Sequence, residues 1–174
     1  MSRDRQEIVF RDFLTEKDIP AIKDLVRSTE VFNACELKIA EELAWETYAK
    51  GVEASGYHFI LAEIEGRLIG YACFGPISCT ENRFDLYWIA VQKNEQHSGI
   101  GKRLLAKTEQ KITELGGVKI YVDTSSLGLY ESARGFYQKH GYRPETVIKD
   151  FHKEGDDKII FAKDLRHWRK TQGE

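Results

Sequence analysis

The chain has 174 residues, 41% of them apolar and 11% aromatic, which suffices to bury one sizeable core within a single domain. Lysine and arginine number 26 against 28 aspartates and glutamates, and the net charge of -2 gives no electrostatic ground for nucleic acid or an anionic membrane as a general partner. The amino terminus, Met1 to Glu7, is charged with no signal-peptide core after it, and no apolar run approaches the roughly 18 residues of a membrane span, so the sequence reads as soluble and cytoplasmic.

A strand over Glu7 to Phe13 opens the pattern. Thr15-x-x-Asp18 follows as a variant capping box for a helix carrying Ile19, Ile22, Leu25 and Val26, with Pro20 in the first turn, where a missing N–H costs little. A second helix, from about Leu37 to Val52, sets Ile39, Leu43, Ala44 and Tyr48 against a row of glutamates. Glu36, Glu41, Glu42 and Glu46 there form either a lure for a cationic amine or a charged solvent face. Residues Tyr57 to Ile64 and Arg67 to Phe74 read as two strands joined by a tight Glu65-Gly66 turn. Cys35, Cys73 and Cys79 have no metal-ligand spacing, and their odd number fits reduced thiols, so no metal is expected.

The strand from Phe84 to Val91 continues the antiparallel run and breaks into Gln96-His97-Ser98-Gly99-Ile100-Gly101, which opens an amphipathic helix through Leu104, Leu105 and Ile112. Two glycines two residues apart bare the backbone of Cβ atoms, so that consecutive N–H groups can turn toward one anion where the helix dipole adds partial positive charge. That geometry suits a pyrophosphate; the alternative is a strand-to-helix turn with no ligand. Gly116-Gly117 ends the helix, and Val118 to Val122 is the nearly continuous apolar strand expected when both faces are covered, giving a strand, a crossover helix and a parallel strand. A helix over Glu131 to Lys139, stopped by Gly141, precedes two strands, Glu145 to Phe151 and Lys158 to Lys163, around the turn Glu154-Gly155-Asp156-Asp157. The fold core is placed at about 7–165, with a solvated basic tail over 166–174.

Three motifs in order give the chain a family likeness: a strand ending Ile89-Ala90-Val91, the Gln/Arg-x-x-Gly-x-Gly/Ala loop at Gln96 to Gly101, and the helix end Phe136-Tyr137-Gln138-Lys139-His140-Gly141-Tyr142. Together they resemble the GNAT superfamily of acetyl-CoA-dependent N-acyltransferases. The resemblance implies an α/β (α+β) fold: a mixed, mostly antiparallel central sheet of about seven strands, flanked by about four helices, with the fourth and fifth strands splayed. It also implies acetyl-CoA as acyl donor, an amine of a small molecule or a peptide as acceptor, and a dimerising habit common among relatives.

By that resemblance, backbone groups of Ile89, Ala90 and Val91 pair with the pantetheine arm as an added strand would. The loop from Gln96 through His97, Ser98, Gly99, Ile100 and Gly101 to Lys102 holds the pyrophosphate, and Tyr130, Ala133 and Phe136 join the cofactor contacts, with core packing the favoured reading of Phe136. Tyr137 stands where the family carries a tyrosine that donates to the departing sulfur; a tyrosine packed on an apolar helix face fits the spacing as well. Asp85 lies where some relatives place a catalytic glutamate, one methylene shorter here, which favours a bridging water; Glu81, Glu131 and His152 are lesser candidates for a base. An asparagine that binds pantetheine in the family is replaced by Thr124, Ser125, Ser126 and Tyr130, and Tyr87, Trp88, Tyr142 and Phe151 either line an acceptor pocket or fill a core. A non-catalytic acyl-CoA sensor is the competing reading.

Overall fold

The computed structural model describes residues 7–166, so the basic tail past Arg166 lies outside the described residues. Its seven strands form one sheet in the order β1-β2-β3-β4-β5-β7-β6. In chain order the elements are β1 (Ile8–Arg11), α1 (Asp18–Ser28), α2 (Ala34–Lys50), α3 (Val52–Ser55), β2 (His58–Ile64), β3 (Arg67–Pro76), β4 (Arg83–Val91), α4 (Ile100–Glu114), β5 (Lys119–Ser125), α5 (Glu131–Lys139), β6 (Arg143–Lys153) and β7 (Asp156–Asp164). Strand β2 pairs antiparallel with β1 and β3, and β7 pairs antiparallel with β5 and β6. The parallel ladder of β4 and β5 runs over Arg83↔Lys119, Phe84↔Ile120 and Asp85↔Tyr121, near the start of a β4 that continues to Val91. Among the described residues no helix is long and apolar enough to cross a membrane.

The described residues divide into two compact units. One holds the chain up to Phe74 together with Trp88–Thr108; the other holds Gly75–Tyr87 and the chain from Glu109 onward. In the first, the apolar stripe of α1 (Ile19, Ile22, Leu25, Val26) and Ala40 and Ala44 of α2 close over Phe59, Leu61, Tyr71, Cys73 and Ala90 from the strands. Thr15 is not the cap that its spacing suggests. Its N–H and hydroxyl both donate to Asp18 (2.6 and 2.8 Å), the first residue of α1, which also binds the Arg11 guanidinium that bridges to Glu63. Burial alone would raise the Asp18 carboxyl, but the Arg11 and Thr15 donors outweigh it and hold it below its ordinary value.

Helix α2 starts three residues before the expected Leu37, because Asn33 and Glu36 form a complete capping box: Glu36 N–H donates to Asn33 Oδ1 (3.0 Å) and Asn33 N–H to the Glu36 carboxylate (2.8 Å). The glutamate row is a charged surface, with Glu41 bonded to Lys23 (2.6 Å), Glu42 to Lys38 (3.5 Å) and Glu46 to Lys50 (2.9 Å). The Glu65-Gly66 turn has positive φ at both residues (51° and 74°), the mirror-image geometry that a two-residue hairpin prefers.

In the second unit both helix ends are built alike. At the end of α4, Gly117 N–H donates to Ile112 O (2.8 Å) and Gly116 N–H to Thr113 O (3.0 Å); at the end of α5, Tyr142 N–H donates to Tyr137 O (3.0 Å) and Gly141 N–H to Gln138 O (3.2 Å). Gly116 and Gly141 supply the left-handed residue that this termination requires (φ 90° and 87°). Gly117 is required for room as well, since a Cβ there would lie 2.3 Å from Ile112 Cγ2 and 2.8 Å from Phe84 Cδ2.

Candidate functional site

The loop after β4 belongs to the first unit. Gln92 N–H donates to Ile69 O (2.8 Å), and Arg67 reaches across to Glu95 (2.8 Å) and to Gln92, which fixes the turn Lys93–Glu95. Gln96 Nε2 donates to Val91 O (3.1 Å) and Ser98 Oγ to Glu95 O (2.5 Å), so these two side chains hold the loop's own shape. His97 takes φ 61° and Gly99 φ 85°, and the chain then turns into α4 with Ile100 buried at 2% exposure. The first bond of the helix is Arg103 N–H to Gly99 O (3.1 Å), which leaves the N–H groups of Ile100, Gly101 and Lys102 ahead of the ladder without an intrahelical acceptor. A Cβ at Gly99 would meet nothing within 4 Å, so its conformation, not crowding within the chain, calls for glycine. On β4, Ala90 packs into the core while Ile89 and Val91 are half-buried.

The second unit holds the candidate acid and base. Strand alternation puts Asp85, its partner Tyr121 and Asp123 on one face of the sheet, and Phe84, Ile120, Val122 and Phe161 on the other. Tyr137 packs its ring 6.1 Å from Phe161, so Asp85 and Tyr137 stand on opposite faces. Burial, and then the Asp123 carboxylate, push the Asp85 carboxyl up from 3.8 to about 6, with Lys158 pulling the other way. Lys158 is ion-paired to Asp123, and its ammonium lies 4.7 Å over the Phe151 ring. Sequence reading passed over Asp123 and Lys158; a lone acid inside an otherwise apolar strand was the available signal.

Tyr137 is 7% exposed, its phenol is pushed up by burial, and no hydrogen bond to its hydroxyl is found among the described residues. It also makes the apolar contact of the α5 terminus, with its ring 5.7 Å from that of Tyr142. Half-buried Phe136 stacks beside His140 (4.5 Å), whose Nδ1 lies 2.7 Å from Phe136 O; Ala133 and Tyr130 are half-buried near the start of the helix.

Two hydroxyls weighed as replacements for the missing asparagine are committed elsewhere. Ser125 Oγ donates to buried Asp156 (2.5 Å) and accepts from Leu127 N–H (3.0 Å), and Ser126 Oγ accepts from Asp157 N–H (2.8 Å). Arg134 Nη1 donates to the carbonyls of Ser125 (2.6 Å) and Leu127 (2.9 Å), so this segment is a braced turn, and the buried Thr124 hydroxyl is donated to Ser125 O (3.4 Å). The aromatic set divides too: Tyr142 is core, Trp88 packs on Phe32 (5.1 Å), and Tyr87 and Phe151 are exposed. Glu81, Glu131 and His152 are exposed. Among the described residues no group of three or more His, Cys, Asp or Glu side chains is placed to hold a metal ion.

A mixed sheet in which the parallel pair β4 and β5 is joined through a helix with a glycine-bearing start is an α/β architecture. Within it, the model of the acetyltransferase (GNAT) family matches residues 20–142, and the chain belongs to that family. A protein from Desulfovibrio desulfuricans described as a GNAT-family acetyltransferase matches with a TM-score of 0.87 and 38% identity over 91% of this chain and 99% of that one. The N-acetyltransferase Rv2775 of Mycobacterium tuberculosis is 30% identical over 110 residues, 63% of this chain and 55% of that protein. The uncharacterized N-acetyltransferase MJ1530 of Methanocaldococcus jannaschii is 30% identical over 108 residues, 60% of this chain and 65% of that one. The chain thus spans between half and two thirds of the length of these relatives. An aminoglycoside 6'-N-acetyltransferase crystallised with coenzyme A shares the fold, at a TM-score of 0.71 and 20% identity over 90% of this chain and 97% of that one.

Proposed function

We propose that this protein moves an acetyl group from acetyl-CoA to an amine of a small molecule or peptide, by direct attack while both substrates are bound. The observation that carries the reading is the set of open N–H groups of Ile100, Gly101 and Lys102 at the head of a 15-residue helix. Such a helix start favours a doubly charged pyrophosphate, and the space beside Gly99 is open. Half-buried Ile89 and Val91 offer backbone groups to the pantetheine amides.

An alkylammonium with a pKa near about 10 must lose a proton before it can attack. With its carboxyl near 6, Asp85 is ionised at neutral pH and accepts that proton through water. The nitrogen lone pair then forms the C–N bond, the C–S bond breaks with its electron pair leaving on sulfur, and the second proton that the nitrogen sheds passes to that sulfur or to water. Tyr137, whose burial keeps its proton in place, donates a hydrogen bond to the thiolate. Their placement on opposite faces of the sheet suits groups that handle the incoming nitrogen and the outgoing sulfur separately.

The test is to titrate coenzyme A calorimetrically and to follow thiol release from acetyl-CoA across a panel of amines. Gly101→Glu sets bulk and a like charge beside the phosphates and abolishes binding while circular dichroism is unchanged. Tight binding by that variant would refute the loop assignment; binding without turnover on any acceptor would transfer the protein to acyl-CoA sensing.

A further inference from the structure

Glu109 and Lys163 form a buried ion pair that the chemistry proposed above leaves unused. Lys163 Nζ donates to both carboxylate oxygens of Glu109, each at 2.8 Å, and Glu109 is 3% exposed. We propose that this pair is a positioning device for Tyr137: it fixes the Tyr142 ring and, through that ring, the direction in which the Tyr137 hydroxyl points. The inference rests on the hydrogen-bonding role proposed above for Tyr137.

The phenol needs such support. With no hydrogen bond to its hydroxyl among the described residues, its aim is set by the rings packed around it. Those are Phe136 on its own helix (5.6 Å between ring centres), Phe161 of β7 (6.1 Å) and Tyr142 beyond the helix end (5.7 Å). Tyr142 is joined to it a second time, since its N–H donates to Tyr137 O (3.0 Å).

The ion pair in turn holds Tyr142. The Lys163 ammonium lies 5.5 Å from the centre of the Tyr142 ring, and its stem runs beside the Gly141 turn, where a Cβ would come 3.7 Å from Lys163 Cε. Burial first, and then the Glu109 carboxylate, push the Tyr142 phenol well above its ordinary value, which sets that carboxylate against the phenol as well as the ammonium. Phe161 and Lys163 stand two residues apart on one face of β7, so a single strand supplies a ring to Tyr137 and the clamp on Tyr142. Stability alone does not call for the pair, because desolvating two charges offsets most of their attraction. Two bonds from one ammonium to one carboxylate do give that ammonium a fixed place, and with it the ring beside it. An aim lost by about 1 Å at a reacting group can cost about 100-fold in rate.

The test replaces both charges together, as Glu109→Gln with Lys163→Met, so that neither is left buried alone. Its first readout needs no acceptor. In the full chain carrying 13C-labelled tyrosine rings, the Tyr137 signals are those lost in Tyr137→Phe; the double variant moves them and leaves the signals of Tyr71, in the first unit, in place. The second readout is thiol release from acetyl-CoA with the amine panel. There the double variant keeps coenzyme A affinity and lowers kcat about tenfold, but less than about twofold when Tyr137 is already phenylalanine. Glu109→Gln alone keeps the side-chain shape and protects the test should the double variant fail to fold; it moves the same ring signals and lowers kcat by about two- to fivefold. Tyr137 signals that stay in place, or an equal loss of rate with and without the phenol, would overturn the inference. A slow Tyr137→Phe beside a double variant of wild-type rate would also overturn it and leave the proposed function standing. A Tyr137→Phe variant as fast as wild type would remove the phenol's role in acetyl transfer, and this inference with it.

Discussion

Replacing Asp85 with asparagine should stabilise the protein and cripple it at once. In the unfolded chain this carboxyl has its ordinary value of 3.8; in the folded chain burial and Asp123 hold it near 6. The native state therefore binds the proton more tightly than the unfolded state between those values, so the group's contribution to stability is full below pH 3.8 and is lost as pH rises through 6. A rise of about two pH units corresponds to about 3 kcal/mol, which solvent screening of a half-buried group reduces to about 1–2 kcal/mol. Asparagine carries no charge to desolvate. Urea unfolding should find Asp85→Asn more stable than wild type by about 1–2 kcal/mol at pH 8 and indistinguishable near pH 4, while kcat/KM falls by about 100-fold or more. Wild-type kcat/KM should itself fall below about pH 6. An asparagine variant less stable than wild type at pH 8, or a stability difference that ignores pH, would refute the account of this carboxyl.

Tyr137→Phe should keep its stability within about 1 kcal/mol, because the lost hydroxyl has no partner among the described residues, yet slow turnover at least tenfold with coenzyme A affinity intact; a melting temperature that collapses would make the phenol structural. Gly99→Ala, at φ 85°, should cost about 1 kcal/mol in urea and weaken coenzyme A binding, and unchanged values for both would remove the left-handed residue from the argument. Gly117→Ala should destabilise by about 1–3 kcal/mol without touching the loop, since a Cβ there would sit 2.9 Å from Ile112 O and 2.3 Å from Ile112 Cγ2; an unshifted unfolding midpoint would count against that packing.

What sequence reading recovered was local. The Glu65-Gly66 turn, helix α5 from Glu131 to Lys139 and the helix beginning behind Gly99 each depend on residues within a few positions of one another, where backbone preference decides. What it missed depends on partners far along the chain. Thr15 and Asp18 have the spacing of a cap, but Arg11, itself bridged to Glu63, claims Asp18 for an ion pair. Ser125 and Ser126 looked available to a ligand until Asp156 and Asp157, some thirty residues away, tied them down. Asn33 and Glu36 carry the capping-box spacing in the sequence itself, an asparagine with a glutamate three residues on. Asp85 is a candidate base in the sequence by its likeness to the family pattern, whereas the neighbour that raises its carboxyl, Asp123, emerges only when β4 and β5 are laid side by side.

The close of α5 has a consequence for anyone interpreting variants. One short stretch both halts the helix and aims the phenol, because Tyr137 lends its carbonyl to the Tyr142 amide and its ring to the Tyr142 ring. Under the role proposed for Tyr137, a lesion at Gly141 would imitate the loss of its hydroxyl, and only a probe of ring orientation would tell a misaimed hydroxyl from a missing one.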